Sequence, residues 1–220
     1  MPRYVKTFEG VLSPDFCAEV IKRFEADRRV QADPQPDYST RHYLNISECA
    51  DWRKQVTHFG GVAHRLVESY FSVPKSMNAA RYHEWSDDGY IVCRYAPGDA
   101  CILHVDGQCS EPGRNGLRIA TLIFYLNDVE DGGETFFPLQ DLKVAPRRGR
   151  AVLFPIGHTH PHQVLKAGSP RYIMQTWITD PNLIVTDRRD QGAKPVRAKP
   201  RAVPPRARAQ ARPSKRGPRR

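Results

Sequence analysis

From Ala80 to Ile178 the hydrophobic pattern keeps the two-residue period of β-strands and is interrupted only by turn signals. The candidate strands are Ala80–Trp85, Tyr90–Tyr95, Cys101–His104, Leu117–Asn127, Glu134–Phe137, Leu142–Ala145, Arg150–Phe154, His162–Lys166 and Arg171–Ile178. Asp87-Asp88-Gly89, Ala96-Pro97-Gly98-Asp99, Glu111-Pro112-Gly113, Asp131-Gly132-Gly133 and Gly168-Ser169-Pro170 punctuate them. No helical stretch lies between these strands to carry a parallel crossover. Many short strands joined by tight turns predict an antiparallel sandwich or a double-sheet roll.

The first part of the chain has a different rhythm. Tyr4–Phe8 alternates like an opening strand. Ser13-Pro14-Asp15 then has the signature of a helix start: a capping hydroxyl, a proline in the first turn and an acid near the positive end of the helix dipole. Phe16, Val20, Ile21 and Phe24 form one apolar stripe to about Ala26. Asp27 to Thr40, with Pro34 and Pro36, reads as a long polar loop, either a flap over a site or a freely moving segment. Ser47 is expected to cap a second helix that buries Val56, Val62, Leu66 and Tyr70 and runs to about Phe71, with Gly60-Gly61 marking a kink or a close crossing. Both helices are expected to brace the sheets. The chain is thus expected to be α+β and mainly β, with residues 1–79 supporting, in one domain, a β core at 80–187.

Residues 188–220 carry thirteen Lys/Arg against the single Asp190, so the chain's net charge of +10 leaves −2 for residues 1–187. Rich in Arg, Ala and Pro, this tail cannot bury enough apolar surface to offset its ordering entropy, and it is expected to be disordered. Two readings remain for it: attachment to nucleic acid or another polyanion, or a solvated tail without a partner. No apolar run is long enough to span a membrane. The N-terminus lacks the apolar core of a signal peptide, which gives an expectation of the cytoplasm. Five scattered cysteines without a CxxC pair suit reduced, buried thiols better than disulfides or a zinc knuckle.

Within the β region, His104-Val105-Asp106 is weak alone, since such a short motif arises by chance in roughly every second sequence of this kind. Its place raises its value. Residues i and i+2 of a strand point to one side, so a single ion is within reach of both, at a strand end where sites tend to lie. His158, His160 and His162 offer a further imidazole downstream. Two histidines and one carboxylate leave three positions open on an octahedral ion, which suits non-haem Fe(II); zinc more often takes three histidines or cysteines. Arg171 opens the strand after His162, where a guanidinium can grip a carboxylate in bidentate fashion. Iron with open positions and an inward arginine suit a dicarboxylate cosubstrate.

Taken together, Arg94-Tyr95-Ala96-Pro97-Gly98, His104-Val105-Asp106, Thr121 to Asn127, Gly132 to Pro138, Pro161-His162-Gln163-Val164, Arg171-Tyr172 and Trp177 resemble the 2-oxoglutarate- and Fe(II)-dependent oxygenases, and within them the prolyl 4-hydroxylase branch. The resemblance covers about residues 80–180. It implies a double-stranded β-helix, or jelly roll, braced by the N-terminal helices. It also implies His104, Asp106 and His162 as iron ligands, Arg171 and Tyr125 on the distal carboxylate of 2-oxoglutarate, Tyr95 as a second tyrosine of that pocket, and Arg118 and Trp177 on the substrate side. The nine-residue spacing from His162 to Arg171 and the Pro-His-x-Val context resemble the oxygen-sensing prolyl hydroxylases and favour His162 over His160. The implied reaction uses Fe(II), 2-oxoglutarate and O2, with ascorbate as a reductant, to hydroxylate a C–H bond, first of all in a prolyl residue of a peptide or protein. A free amino acid or other small molecule is the alternative substrate, a nucleic-acid demethylase a third reading, and a non-catalytic binding module on the same roll the alternative of a different class.

Overall fold

The structure, a computed structural model, describes residues 4–71, 85–107 and 116–183. The expected strand at 80–85, Trp85 excepted, and the tail at 188–220 lie outside those residues. In chain order the first elements are β1 (Lys6–Phe8), α1 (Pro14–Ala26), β2 (Gln31–Ala32), β3 (His42–Asn45), α2 (Arg53–Tyr70), β4 (Ser86–Asp87), β5 (Ile91–Tyr95) and β6 (Cys101–His104). There follow β7 (Leu117–Tyr125), β8 (Thr135–Phe137), β9 (Leu142–Val144), β10 (Ala151–Pro155), β11 (His162–Val164) and β12 (Arg171–Asp180). The strand positions expected from Tyr90 onward are all occupied, most of them one or two residues shorter.

The strands form two antiparallel sheets. The larger has the order β1-β10-β7-β12-β5-β3-β2, with β4 also on β12, and the smaller has the order β6-β11-β8-β9. Each face of the larger sheet has its own apolar cluster. Leu122 and Phe124 of β7, with Met174 and Ile178 of β12, meet Val20 and Phe24 of α1 and Phe59, Val62 and Leu66 of α2. Ile123 and Tyr125 of β7 point the other way, with Ile173 of β12, onto Phe137, Val144 and Val164 of the smaller sheet. Covered on both faces, β7 is buried without a break from Ala120 to Tyr125 and is apolar there except for Thr121, rather than alternating. No helix among the described residues is long and apolar enough to cross a membrane.

The first helix starts as its sequence requires: Ser13 Oγ accepts from the Phe16 amide at 3.2 Å and Pro14 occupies the first turn. The second does not. Asn45, not Ser47, supplies the cap, and it caps a 3-10 turn at Ile46–Glu48, followed by another at Ala50–Trp52 before α2 begins at Arg53. The Ser47 hydroxyl instead accepts from the Tyr90 amide at 2.8 Å, tying this corner to the start of β5. Through Gly60-Gly61 the helix is unbroken; a Cβ at Gly60 would make only ordinary contact with the Tyr90 hydroxyl, at 3.4 Å, and one at Gly61 would meet nothing within 4 Å, so neither a kink nor a close crossing explains the pair.

One turn controls how β8 enters the smaller sheet. Gly132 and Gly133 both have positive φ, at 74° and 72°, and Gly132 forms an isolated bridge to Ala167. A Cβ at Gly132 would collide with the Lys166 carbonyl. Gly132→Ala should therefore lower the unfolding free energy by more than about 1 kcal/mol, since left-handed backbone alone costs an L-residue roughly that much; urea denaturation of the two chains measures it.

Candidate metal centre

Side chains meet where the two sheets face each other. The pairing of β6 with β11 sets His104 opposite His162, their ring centroids 4.3 Å apart. Asp106 follows two residues after β6 ends, and Thr121 on β7 donates its hydroxyl hydrogen to Asp106 Oδ2. The carboxylate lies 3.6 Å from His104 Nε2 and 3.8 Å from His162 Nε2. One donor atom from each of the three residues falls within 4.8 Å of the others.

Both imidazoles are oriented in the same way. His104 Nδ1 is 2.8 Å from the Ile102 carbonyl oxygen and His162 Nδ1 is 3.1 Å from the His160 carbonyl oxygen. A carbonyl only accepts, so each Nδ1 carries the hydrogen and each Nε2 is the atom left to bind a cation. Burial pushes Asp106 up, but the neighbouring His104 and His162 imidazoles and the Thr121 hydroxyl outweigh it and hold the carboxyl well below the usual carboxylate range. Burial would lower His104, yet the Asp106 carboxylate and Cys101 beside it raise it to about 10; His162 is pushed down by burial. A proton on His104 and a metal ion are alternatives for the same lone pair, and the donor set of two imidazoles and a carboxylate fits Fe(II) with three positions to spare.

Arg171 occupies the other end of the same cavity. Its guanidinium is fully buried, 5.0 Å from the Tyr95 ring centre and 5.3 Å from that of Tyr125. Nη2 donates to Thr135 Oγ1 at 3.1 Å, and Thr135 Oγ1 is 2.8 Å from the Tyr125 hydroxyl. Nε and Nη1 have no hydrogen-bond partner among the described residues. Leaving charged donors buried and unpaired is costly, and a carboxylate, which accepts charge-assisted hydrogen bonds from a guanidinium, is a group that would satisfy them.

Of the other residues singled out in the sequence, Trp177 lines the cavity. Arg118 sits behind it, its guanidinium 3.8 Å from the Trp177 ring centre and its Nε 2.7 Å from Asp88 Oδ2. His160 lies outside the cluster; Thr159 Oγ1 is 2.9 Å from its Nδ1 and its ring packs edge-on against Tyr4. Tyr38, Arg41, Thr135 and Gln175 also line the cavity and were not picked out from sequence. Strand alternation from Arg171 and Trp177 was a signal for Gln175; Tyr38 and Arg41 come from the segment leading into β3, where no periodicity marks them.

Between two facing antiparallel sheets, the His/Asp/His cluster could hold a cation, and the buried Arg171, with Nε and Nη1 free of described partners, could take an acidic group. Residues 90–179 match the sequence model of the 2OG-Fe(II) oxygenase superfamily. The chain is 34% identical over 99 residues to prolyl 4-hydroxylase subunit alpha-1 of Gallus gallus, a match taking in 40% of this chain and 19% of that protein. The matches take in less than half the length of the curated relatives. The fold is shared with the viral collagen prolyl hydroxylase of Paramecium Bursaria Chlorella virus-1 in its 2OG complex, at 22% identity and a TM-score of 0.60 over 80% of this chain and 95% of that one. It is shared also with a Trichoplax adhaerens prolyl hydroxylase in complex with a hypoxia inducible factor oxygen degradation domain peptide fragment, at 18% identity and a TM-score of 0.63 over 81% and 84% of the two chains. Residues 90–179 are thus similar to the 2OG-Fe(II) oxygenase superfamily, and the fold is the antiparallel jelly roll shared with these solved prolyl hydroxylases.

Replacing His104 or His162 by Ala should weaken Mn(II) binding by more than about 100-fold, beyond the loss typical of an outer-shell partner. His160→Ala should stay within about tenfold of the parent chain, because its imidazole is outside the cluster. Calorimetric titration with Mn(II) measures all three.

Proposed function

We propose that this chain is a 2-oxoglutarate- and Fe(II)-dependent dioxygenase that hydroxylates a prolyl residue of a peptide or protein. The observation that carries this reading is the buried Arg171 guanidinium, with two unpaired donors, in the same cavity as the His104/Asp106/His162 cluster. In this reading those three residues hold the iron. Bound together, Fe(II) and 2-oxoglutarate would activate O2, the oxidant: one oxygen atom would pass into the succinate formed with carbon dioxide from the cosubstrate, and the other into a C–H bond of the substrate.

The protein's own part is to bind, orient and exclude water. Arg171 grips the distal carboxylate, with Thr135 and the Tyr125 hydroxyl fixing the plane of its guanidinium. Tyr95, paired across β5 and β12 with Arg171, walls the same end. Thr121 steadies Asp106 in the orientation that serves the metal. Trp177, backed by Arg118, is the wall on the substrate side. Since the oxidation needs no protein acid or base, none is assigned; ascorbate serves as reductant. The prolyl substrate is supported by the relatives, which are named as prolyl hydroxylases. In the same reading residues 1–79 support a catalytic core at 80–187, with 188–220 as a separate tail, and the four cysteines among the described residues, all free and buried, suit a reducing compartment such as the cytoplasm.

The test is incubation of the whole chain with prolyl peptides, 2-oxoglutarate, Fe(II) and ascorbate. Succinate release matched by a one-oxygen mass gain on the peptide is expected; succinate release with free amino acids but with no peptide would overturn the substrate assignment. Arg171→Lys keeps the charge but loses the fork, and it should raise the KM for 2-oxoglutarate by about tenfold or more.

A further inference from the structure

Two residues of the cavity have no role in the account so far, and they touch each other. Arg41, at the entry to β3, donates from Nη1 to Gln175 Oε1 on β12 at 3.1 Å, across 134 residues of chain. The guanidinium is itself pinned. Its Nε donates to Asp33 Oδ2 at 3.0 Å, and the Asp33 amide donates to the Arg41 carbonyl at 2.9 Å. Both side chains of this ion pair are largely buried, and Gln175 is buried too.

The direction of the Gln175 amide follows from this. Arginine has five N–H groups and no acceptor, so the atom turned towards Arg41 must be the carbonyl oxygen. The NH2 group is then what remains to meet the contents of the cavity that Gln175 lines, and it donates to none of the described residues. The placement along β12 says what it would meet. Arg171 lies opposite Tyr95, Gln175 opposite Ile123, and Trp177 opposite Thr121, the residue that holds Asp106. At about 3.3 Å per residue, Gln175 is roughly 13 Å along the strand from Arg171 and roughly 7 Å from Trp177, on the same face. It therefore sits towards the metal end of the cavity. A five-carbon diacid gripped at Arg171 and reaching towards the cluster presents its keto and carboxylate oxygens there.

We infer that Gln175 is a positioning residue for the cosubstrate, donating from Nε2 to an oxygen at the end of the 2-oxo acid nearest the metal, and that Arg41 acts through it by fixing which way the amide points. This rests on the dioxygenase reading and adds to it. It makes the cavity donor-lined along its length: Arg171 at one end, Gln175 near the other.

The test is calorimetric binding of 2-oxoglutarate to the Mn(II)-loaded whole chain, with no turnover. Gln175→Leu should weaken binding by about tenfold, the usual worth of a hydrogen bond to a charged acceptor. Gln175→Glu, isosteric but offering only acceptors and a charge, should weaken it further, while Mn(II) affinity stays within about twofold in both. Arg41→Lys keeps the charge beside Asp33 but cannot reach both partners in one plane. It should weaken binding in the parent and have almost no effect in the Gln175→Leu background, the non-additivity of a residue that acts through another. Binding by Gln175→Leu within about twofold of the parent, or Arg41→Lys and Gln175→Leu effects that simply multiply, would overturn the inference while leaving the dioxygenase reading intact. A folded, Mn(II)-loaded parent chain that does not bind 2-oxoglutarate at all would overturn both.

Discussion

A slip of one residue between β6 and β11 would turn His104 and His162 to opposite faces of the smaller sheet, because side chains along a strand alternate with a period of two. The observed register sets them opposite each other. Everything else at the metal end follows from that pairing. Asp106 reaches the same point two residues later, Thr121 holds it from the larger sheet, and two backbone carbonyls choose the nitrogen that each imidazole presents. Phe137 and Phe154 pack on the His162 ring, with centroids 5.7 and 4.8 Å away, so the orientation of this imidazole is held by close-packed core rather than by a loop.

The cavity is an unfavourable thing for a small protein to build. Arg171 is fully buried, with only one of its three nitrogens hydrogen-bonded to a described residue. A core arranged for stability alone would place an apolar side chain there, since removing a buried charge in favour of good packing is often neutral or stabilising. The proposed function gives a reason to keep it: the donors left unpaired in the fold are those that a carboxylate would satisfy. The two apolar clusters on either side of the larger sheet offset the cost. The helices cover one face and leave the other face free to be polar where the smaller sheet stands opposite it.

Much of this was legible in the chain. The period of two, the turn glycines and the absence of helical stretches specified antiparallel sheets, and strand alternation put Thr121, Ile123 and Tyr125 on one face, where they are found. His104 and Asp106 were legible by their i, i+2 spacing, and Arg171 by its place after a turn. The start of the second helix was not: Ser47 has the right chemistry for a cap, but Asn45 reaches the first free amide and Ser47 is taken by Tyr90. Nor could sequence spacing give Arg41, whose partner Gln175 becomes a neighbour only when β3, β5 and β12 align in one sheet. Local patterns report which way a side chain points on its own strand; they do not report what comes to face it.

The central claim is that His104, Asp106 and His162 hold Fe(II) within reach of a 2-oxo acid gripped by Arg171. Visible absorption of the anaerobic protein, loaded with Fe(II) and titrated with 2-oxoglutarate, tests it most directly. Chelation of the 2-oxo acid by iron on these ligands predicts a charge-transfer band that saturates with one cosubstrate per chain and is absent in Asp106→Ala. A folded, iron-loaded parent chain that gives no band, or a band that survives loss of Asp106, would contradict the account.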